Sequence, residues 1–421
     1  MNRAWLSWFL LFPLLVGQAD ANEETSPSIL DPLRLSGSVR GAYWSSDRDL
    51  DDRKNFTPVS LWLKAAPDLG NGFDARIEGW IADKRPLSEV SPSGELREAF
   101  VSWRGSTLDI TAGRRIVAWG RADRINPTDV ISSRDFTLLF AEDDDQRRGN
   151  TVVTAAYPIE DFTLSALWLP EFRPNIYPIP KSPGVTVDEE DGRFDPAQFA
   201  ARVDHVGVGL DWSAFFFDGI DRNPDFLVTG IDASGVSVAT SYRRTRILGG
   251  DFAANAGDYG LRGEIAYHMP SNDDAAVGFE KGAFLAAVIG ADRNITEFLN
   301  VNVQYLLHHT VDYTDPRAIA DPVTRAVAEK GALLNNQLVR TQHGATVRVA
   351  YTTWHDTLVL ELAAAGFFTD QSAVLRPKAS YAITDRVKAV LGVDRFFGDE
   401  DTFFGQLQDN TTVYLELRYG F

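Results

Sequence analysis

No cysteine occurs among the 421 residues, so neither disulfides nor thiolate metal sites can hold this fold together. Histidine is scarce as well, with six in all, and the adjacent pair His308 and His309 would point to opposite faces of a strand rather than converge on one metal. No serine stands beside a histidine in a hydrolase-like motif, and phosphate loops, basic nucleic-acid arms and Cys/His metal motifs are missing. These absences point away from an enzyme and from a nucleic-acid partner, and no cofactor or metal is expected. Long apolar runs are wanting too. Past the N-terminus, a stretch such as 285–290 is cut short by charge or glycine, whereas a spanning helix needs roughly 20 apolar residues. If the chain enters a membrane, it must do so as a closed barrel, in which every backbone polar group pairs strand to strand.

What is present begins at the N-terminus. Arg3 precedes an apolar stretch from Ala4 to Val16, and Ala19-Asp20-Ala21 has the small-x-small form of a cleavage site. This reads as a secretory signal over 1–21, with cleavage expected before Asn22. The remainder, 22–421, reads as one domain.

The C-terminus shows the second feature. In "TTVYLELRYGF", Val413, Leu415, Leu417, Tyr419 and Phe421 alternate with Thr412, Tyr414, Glu416, Arg418 and Gly420. Period two makes a strand with one apolar and one polar face. The pattern recurs: Val387, Ala389, Leu391 and Val393 oppose Lys388, Gly392 and Asp394, and Leu299, Val301, Val303 and Tyr305 oppose Asn300, Asn302 and Gln304. Connections between these segments fall into two alternating classes, short turns (105–107, 159–161, 256–258) and long polar loops (46–55, 121–148, 170–198). The count is about eighteen strands, with both termini on the short-turn side. A soluble sandwich has period-two strands but does not sort its connections so strictly.

The terminal strand ending on Phe421, combined with a signal segment, resembles the C-terminal signature of Gram-negative outer-membrane β-barrels. The whole layout resembles the porins, in particular the larger substrate-selective porins and the alginate-export type of barrel. The resemblance implies an all-β, transmembrane, antiparallel up-and-down barrel that acts as a passive channel without a cofactor. It implies contact with outer-membrane lipid and lipopolysaccharide, and recognition of Leu417, Tyr419 and Phe421 by the barrel assembly machinery. The expected function is passage of small polar solutes, anions among them. The alternatives are an export conduit for an anionic polysaccharide, an outer-membrane enzyme, and a structural sheath or adhesin.

Strand parity assigns the polar face. It places Arg40, Lys64, Arg76, Arg115, Arg262, Arg348, Arg376, Lys378, Lys388 and Arg418 inward, with Asp74, Glu78, Glu98, Asp109, Glu264, Glu361, Asp394 and Glu416. Such a lumen is mixed and slightly basic although the chain carries a net charge of -18. The inward charges either neutralise one another or form a track with basic rungs for anionic or polyhydroxylated molecules. Arg114 breaks the alternation by pointing towards lipid, and a bulge at Gly113-Arg114 is expected to return it to the lumen.

The third long loop, 121–148, has too many apolar residues (Val130, Ile131, Phe136, Leu138, Leu139, Phe140) for a free surface loop. Asn126 followed by Pro127 predicts a helix start. The porin resemblance implies that this loop folds into the barrel as a constriction; an external cap or subunit contact is the alternative. Its Arg121, Arg124, Arg134, Arg147 and Arg148 are expected to face the acidic run Glu142, Asp143, Asp144 and Asp145.

Overall fold

The computed structural model describes residues 31–46, 55–84, 92–138, 141–178, 183–233, 235–271 and 280–421. The leader expected over 1–21, together with Leu139 and Phe140, lies outside the described residues.

The wall consists of 18 antiparallel strands. In chain order they are β1 Ser36–Ser46, β2 Val59–Ala65, β3 Phe73–Ala82, β4 Ser93–Arg104, β5 Asp109–Arg115, β6 Asn150–Ile159, β7 Phe162–Trp168, β8 Phe199–His205 and β9 Leu210–Ile220. Then follow β10 Arg244–Ala256, β11 Tyr259–Pro270, β12 Phe284–Asn294, β13 Leu299–Thr310, β14 Thr341–Thr353, β15 Leu358–Phe367, β16 Ser372–Ala382, β17 Val387–Phe397 and β18 Thr412–Gly420. Each strand pairs with the next, and β18 pairs with β1 from Thr412↔Ser46 to Gly420↔Ser38, which closes the barrel. The seam is completed by Phe421, whose amide donates to the Gly37 carbonyl at 3.1 Å while the Gly37 amide donates back at 3.0 Å. Closure leaves no unpaired edge, the condition for crossing lipid with strands.

Burial runs opposite to that of a soluble protein. On β18 the apolar Val413, Leu415, Leu417 and Tyr419 are 44–52% exposed, whereas Thr412 and Glu416 are 4% and 2% exposed. The same inversion holds round the wall: Ile77, Ile81, Ile265, Ile289, Val303 and Leu391 stand exposed, while Glu98, Asp251, Glu264, Asn302 and Gln304 are buried. An apolar exterior this extensive is stable only against hydrocarbon.

Parity fails at one place, and not where the sequence predicts. No register shift occurs at Gly113-Arg114; β5 runs unbroken against β6 from Asp109↔Ala156 to Arg115↔Asn150. Arg114 stays on the outer side near the end of its strand, where Glu171 of the following loop takes its guanidinium at 3.1 Å. The bulge lies one strand earlier. Glu78 pairs with Glu98 and Gly79 with Leu96, so Arg97 is left over and both Arg97 and Glu98 turn inward, at 7% and 5% exposure.

Long connections gather at one end of the barrel. The connection between β13 and β14, which reads as loop in the sequence, carries helix α1 Pro322–Leu334. Asp321 caps it, accepting from the Thr324 amide at 2.7 Å, and Pro322 occupies the first helical position. A hairpin of Asp225–Asp232 and Gly235–Ser241, with Val185–Asp188 added in parallel, stands between neighbouring loops.

The segment 116–149 between β5 and β6 contains a small ladder, Ser133–Arg134 against Arg147–Arg148, and a 3-10 turn at Asp143–Gln146. No helix starts at Asn126. That side chain donates to the Ala122 carbonyl (2.8 Å) and to Glu264 (2.9 Å) instead of capping, and only a tight turn results, with Asp129 N bonded to Asn126 O at 3.1 Å. The apolar residues of this segment pack on inward-facing wall residues. Trp119 and Ile131 join Val152, Leu167, Phe215, Phe217 and Ile247; Ala141 joins Trp44, Val390 and Tyr414; Leu138 joins Trp62, Trp80 and Ala82. Burying Ile131 and Leu138 stabilises the docked segment by roughly 1.5–3 kcal/mol each.

Candidate solute path and its charged lining

Two sets of polar contacts join the 116–149 segment to the wall. The first centres on Glu264 of β11. One oxygen accepts from the Arg121 amide (2.6 Å), the Ala122 amide (2.6 Å) and the Asn126 side chain (2.9 Å); the other accepts from the Thr128 amide (3.2 Å) and hydroxyl (2.8 Å). Gly120 makes room for this, with φ at +101° and a position where a Cβ would lie 2.5 Å from a Glu264 oxygen.

The second set is ionic. Glu142 meets Lys378 at 3.2 Å and Lys388 at 3.8 Å, Asp143 meets Arg376 at 2.8 Å, and Asp145 meets Arg40 at 2.5 Å and Arg418 at 4.0 Å. The acidic run therefore faces basic side chains of the wall more than those of its own loop. Arg124, 2.9 Å from Asp143, and Arg147, 3.0 Å from Asp144, satisfy the expected pairing inside the loop. Arg121 turns instead to Asp251 (2.6 Å) and Arg134 to Asp129 (3.3 Å), because those carboxylates are buried nearby and need a cation. Arg148 approaches Glu95 at 3.6 Å.

The remaining basic positions fall as follows. Arg76 contacts Glu78 (2.5 Å) and Glu98 (2.7 Å); Arg348 contacts Asp123 (2.7 Å) and Glu361 (3.6 Å); Arg262 approaches Asp292 at 3.6 Å. Arg376 also holds Asp394 at 2.8 Å, and Arg418 holds Glu416 at 2.7 Å. Arg115 lies over the Phe100 ring at 5.5 Å. Among the described residues no carboxylate lies within ion-pair distance of Lys64 or Arg115.

Sequence parity missed Arg97, which the bulge turns inward to hold Glu78 at 2.7 Å and the Asp144 carbonyl at 2.7 Å. The only hint is the Arg97-Glu98 doublet itself, since two adjacent charges in a regular strand would send one into lipid. At Asp143 burial works to raise the carboxyl, yet Arg376 and Arg124 outweigh it and hold it below the ordinary carboxylate range.

Two cavities open beside the segment. One, about 540 Å³, is lined by Arg124, Arg134, Arg348 and Arg376, by Asp123, Asp143 and Asp394, and by Phe136, Phe367, Phe396, Phe403 and Phe404. The other, about 300 Å³, contains Asp221, Arg222 and the ring stack His268, Phe284, His308, with centroids 4.2 and 4.5 Å apart. Arg134, Asn336 and Phe403 border both, so the two are adjacent. The fourth long loop packs on this region: Ile176 exchanges backbone hydrogen bonds with Phe136 and Arg134, and Tyr177 stacks on Phe136 at 4.9 Å.

A closed 18-stranded wall with an apolar exterior and a polar, charged interior defines a transmembrane barrel of a Gram-negative outer membrane. Within that class the chain has the fold of the solute-passing porins. It superposes on OpdK of Pseudomonas aeruginosa with a TM-score of 0.55 at 10% identity, over 92% of this chain and 98% of that one. OccAB3 of Acinetobacter baumannii gives 0.54 at 10% identity over the same shares. OpdK of Pseudomonas aeruginosa with vanillate gives 0.54 at 9% identity, again over 92% and 98%. No protein-family model and no curated protein sequence matches the chain. The likeness is one of fold: a closed barrel whose long connections gather at one end and whose short turns lie at the other.

Proposed function

We propose that the barrel favours small organic anions with an apolar or aromatic body, and that the 116–149 segment is its constriction. The observation that carries this reading is the lining of the larger cavity, where four arginines stand against three aspartates and five phenylalanines complete the surface. Guanidiniums in a confined, partly desolvated passage bias ion traffic more than their charge would in bulk water. The phenylalanines offer an apolar surface to the remainder of such a solute. The wall arginines that the loop acids pair with, Arg40 and Arg418 among them, hold the segment across the lumen; Arg134 and Arg348 keep carboxylate partners in Asp129 and Asp123, and Arg115, which has none among the described residues, adds uncompensated positive charge. One structural neighbour contains vanillate, an aromatic carboxylate. Lys64 and Arg262 extend the basic track towards the periplasmic mouth. The reading makes the protein a conduit and not an enzyme, with no cofactor in its path. The 22–421 barrel meets lipopolysaccharide on its outside, and the terminal strand is read by the barrel assembly machinery.

Reversal potentials in a salt gradient across a planar bilayer test the preference. An anion-selective potential that moves towards cation selectivity in Arg134→Gln with Arg348→Gln supports it. A cation-selective parent channel would overturn it.

A further inference from the structure

The outer face of the wall is apolar along most of its height, yet near the long-loop ends of β9 and β10 it carries charge. Asp218, Arg244 and Arg246 alternate there with the inward, buried Phe217, Thr245 and Ile247, so all three project outward. Asp218 approaches Arg244 Nε at 2.6 Å and Arg246 Nε at 3.5 Å, and Arg244 also donates to the Ala197 carbonyl at 2.6 Å. Two guanidiniums thus share one carboxylate, and the Arg246 side chain remains 66% exposed. Phe199, Phe216 and Leu248 are exposed on the same face beside and below them. A further outward guanidinium, Arg395 of β17, sits at the same end of the barrel over the Phe397 ring (5.0 Å), with no described carboxylate in range.

An arginine on the lipid side costs about 2–4 kcal/mol at the midplane and close to nothing at the interface, so these residues mark where hydrocarbon gives way to headgroups. At the long-loop end that level belongs to the outer leaflet. An excess guanidinium there calls for an anion, and the planar fork matches phosphate oxygens in pairs. We propose that Arg244 and Arg246 form a binding site for the phosphate of a phosphorylated glycolipid of the outer leaflet, its acyl chains lying on Phe216 and Leu248. Asp218 orients the two forks and keeps the site from binding any anion indiscriminately. The inference rests on the outer-membrane placement and on glycolipid contact with the wall, and it is independent of the solute preference.

The test uses the full barrel extracted from outer membranes in mild detergent. Mass spectrometry counts the phosphorylated glycolipid that stays bound, and thermal unfolding is followed on adding a diphosphorylated lipid A, its dephosphorylated counterpart, or inorganic phosphate. Arg244→Gln with Arg246→Gln is expected to lower retention on the order of tenfold and to abolish the stabilising shift, with conductance unchanged. If the double variant does not fold, the exposed Arg246→Gln alone is used, and Arg246→Lys should restore part of the retention. Equal retention by the folded variant overturns the site. An equal shift with the dephosphorylated lipid makes it an apolar lipid contact, and an equal shift with inorganic phosphate makes it a general anion site; either overturns the proposal. A change of oligomeric state without loss of lipid makes the patch a contact between barrels and overturns it as well. Recovery of the protein outside the outer membrane would instead refute the placement on which the inference rests.

Discussion

Arg376 of β16 and Asp143 of the 116–149 segment are 233 residues apart in the chain and 2.8 Å apart in space. Asp394 holds the same guanidinium at 2.8 Å through Nε, so the arginine has a partner in the wall that does not depend on the loop. Asp143→Asn should therefore loosen the loop and not the barrel. The expected outcome is a higher and noisier single-channel conductance with the unfolding temperature little changed. A double-mutant cycle with Arg376→Gln should give a coupling of about 1 kcal/mol. Additive single-mutant effects would show that the pair does not hold the loop.

Glu264 offers a stronger test because it gathers five donors in a site where it is 4% exposed. Glu264→Ala leaves buried amides without an acceptor and is expected to cost on the order of 3 kcal/mol, read as a lower unfolding temperature. Gly120→Ala should reproduce the effect in part, since its Cβ would press on the same carboxylate from a backbone φ of +101°. A Gly120→Ala barrel as stable and as quiet as the parent would mean that this contact is dispensable.

The docking of the 116–149 segment should be stable to acid until well below neutrality. Asp143 has a folded-state pKa below its ordinary value, so the stabilisation from its ion pairs is fully present above about 3.9 and fades as the pH falls through the lowered value. Conductance recorded from pH 7 downward is expected to stay level to about pH 4 and to rise beneath it. A rise that begins near pH 6 would assign the change to other groups.

Phe421 makes its backbone pairing with Gly37 at the seam while its ring stands 47% exposed. Phe421→Ala keeps the seam hydrogen bonds, so folded barrels should unfold at nearly the parent temperature. The yield of assembled barrel in cells should nevertheless fall, with export to the periplasm unaffected. A normal yield would remove the last residue from the assembly signal.

Much of the barrel was legible because alternation is local. Val413, Leu415, Leu417 and Tyr419 on one face and Thr412 and Glu416 on the other follow from a side-chain period of two, whatever the strand pairs with. The sorting of connections into short and long likewise lies in the linear chain, and it indicated about eighteen strands. The inward set Arg40, Arg76, Arg348, Arg376, Lys378 and Arg418 came from the same parity.

Tertiary structure decided the rest. Alternation says which face a residue takes but not which residue stands opposite, so the extra residue in β4 that turns Arg97 inward was invisible, and Arg114 found Glu171 rather than a bulge. Asn126-Pro127 has the local form of a helix start, yet a buried carboxylate 138 positions away claims the asparagine side chain and the turn stays open. The acidic run 142–145 was plain in the sequence, and its partners were not. Arg40, Arg376, Lys378 and Arg418 come from strands at both ends of the chain, and only closure of the barrel brings them to one loop. Faces are set by geometry within a strand, whereas ion-pair partners are set by desolvation, which draws each buried charge to the nearest opposite charge in space.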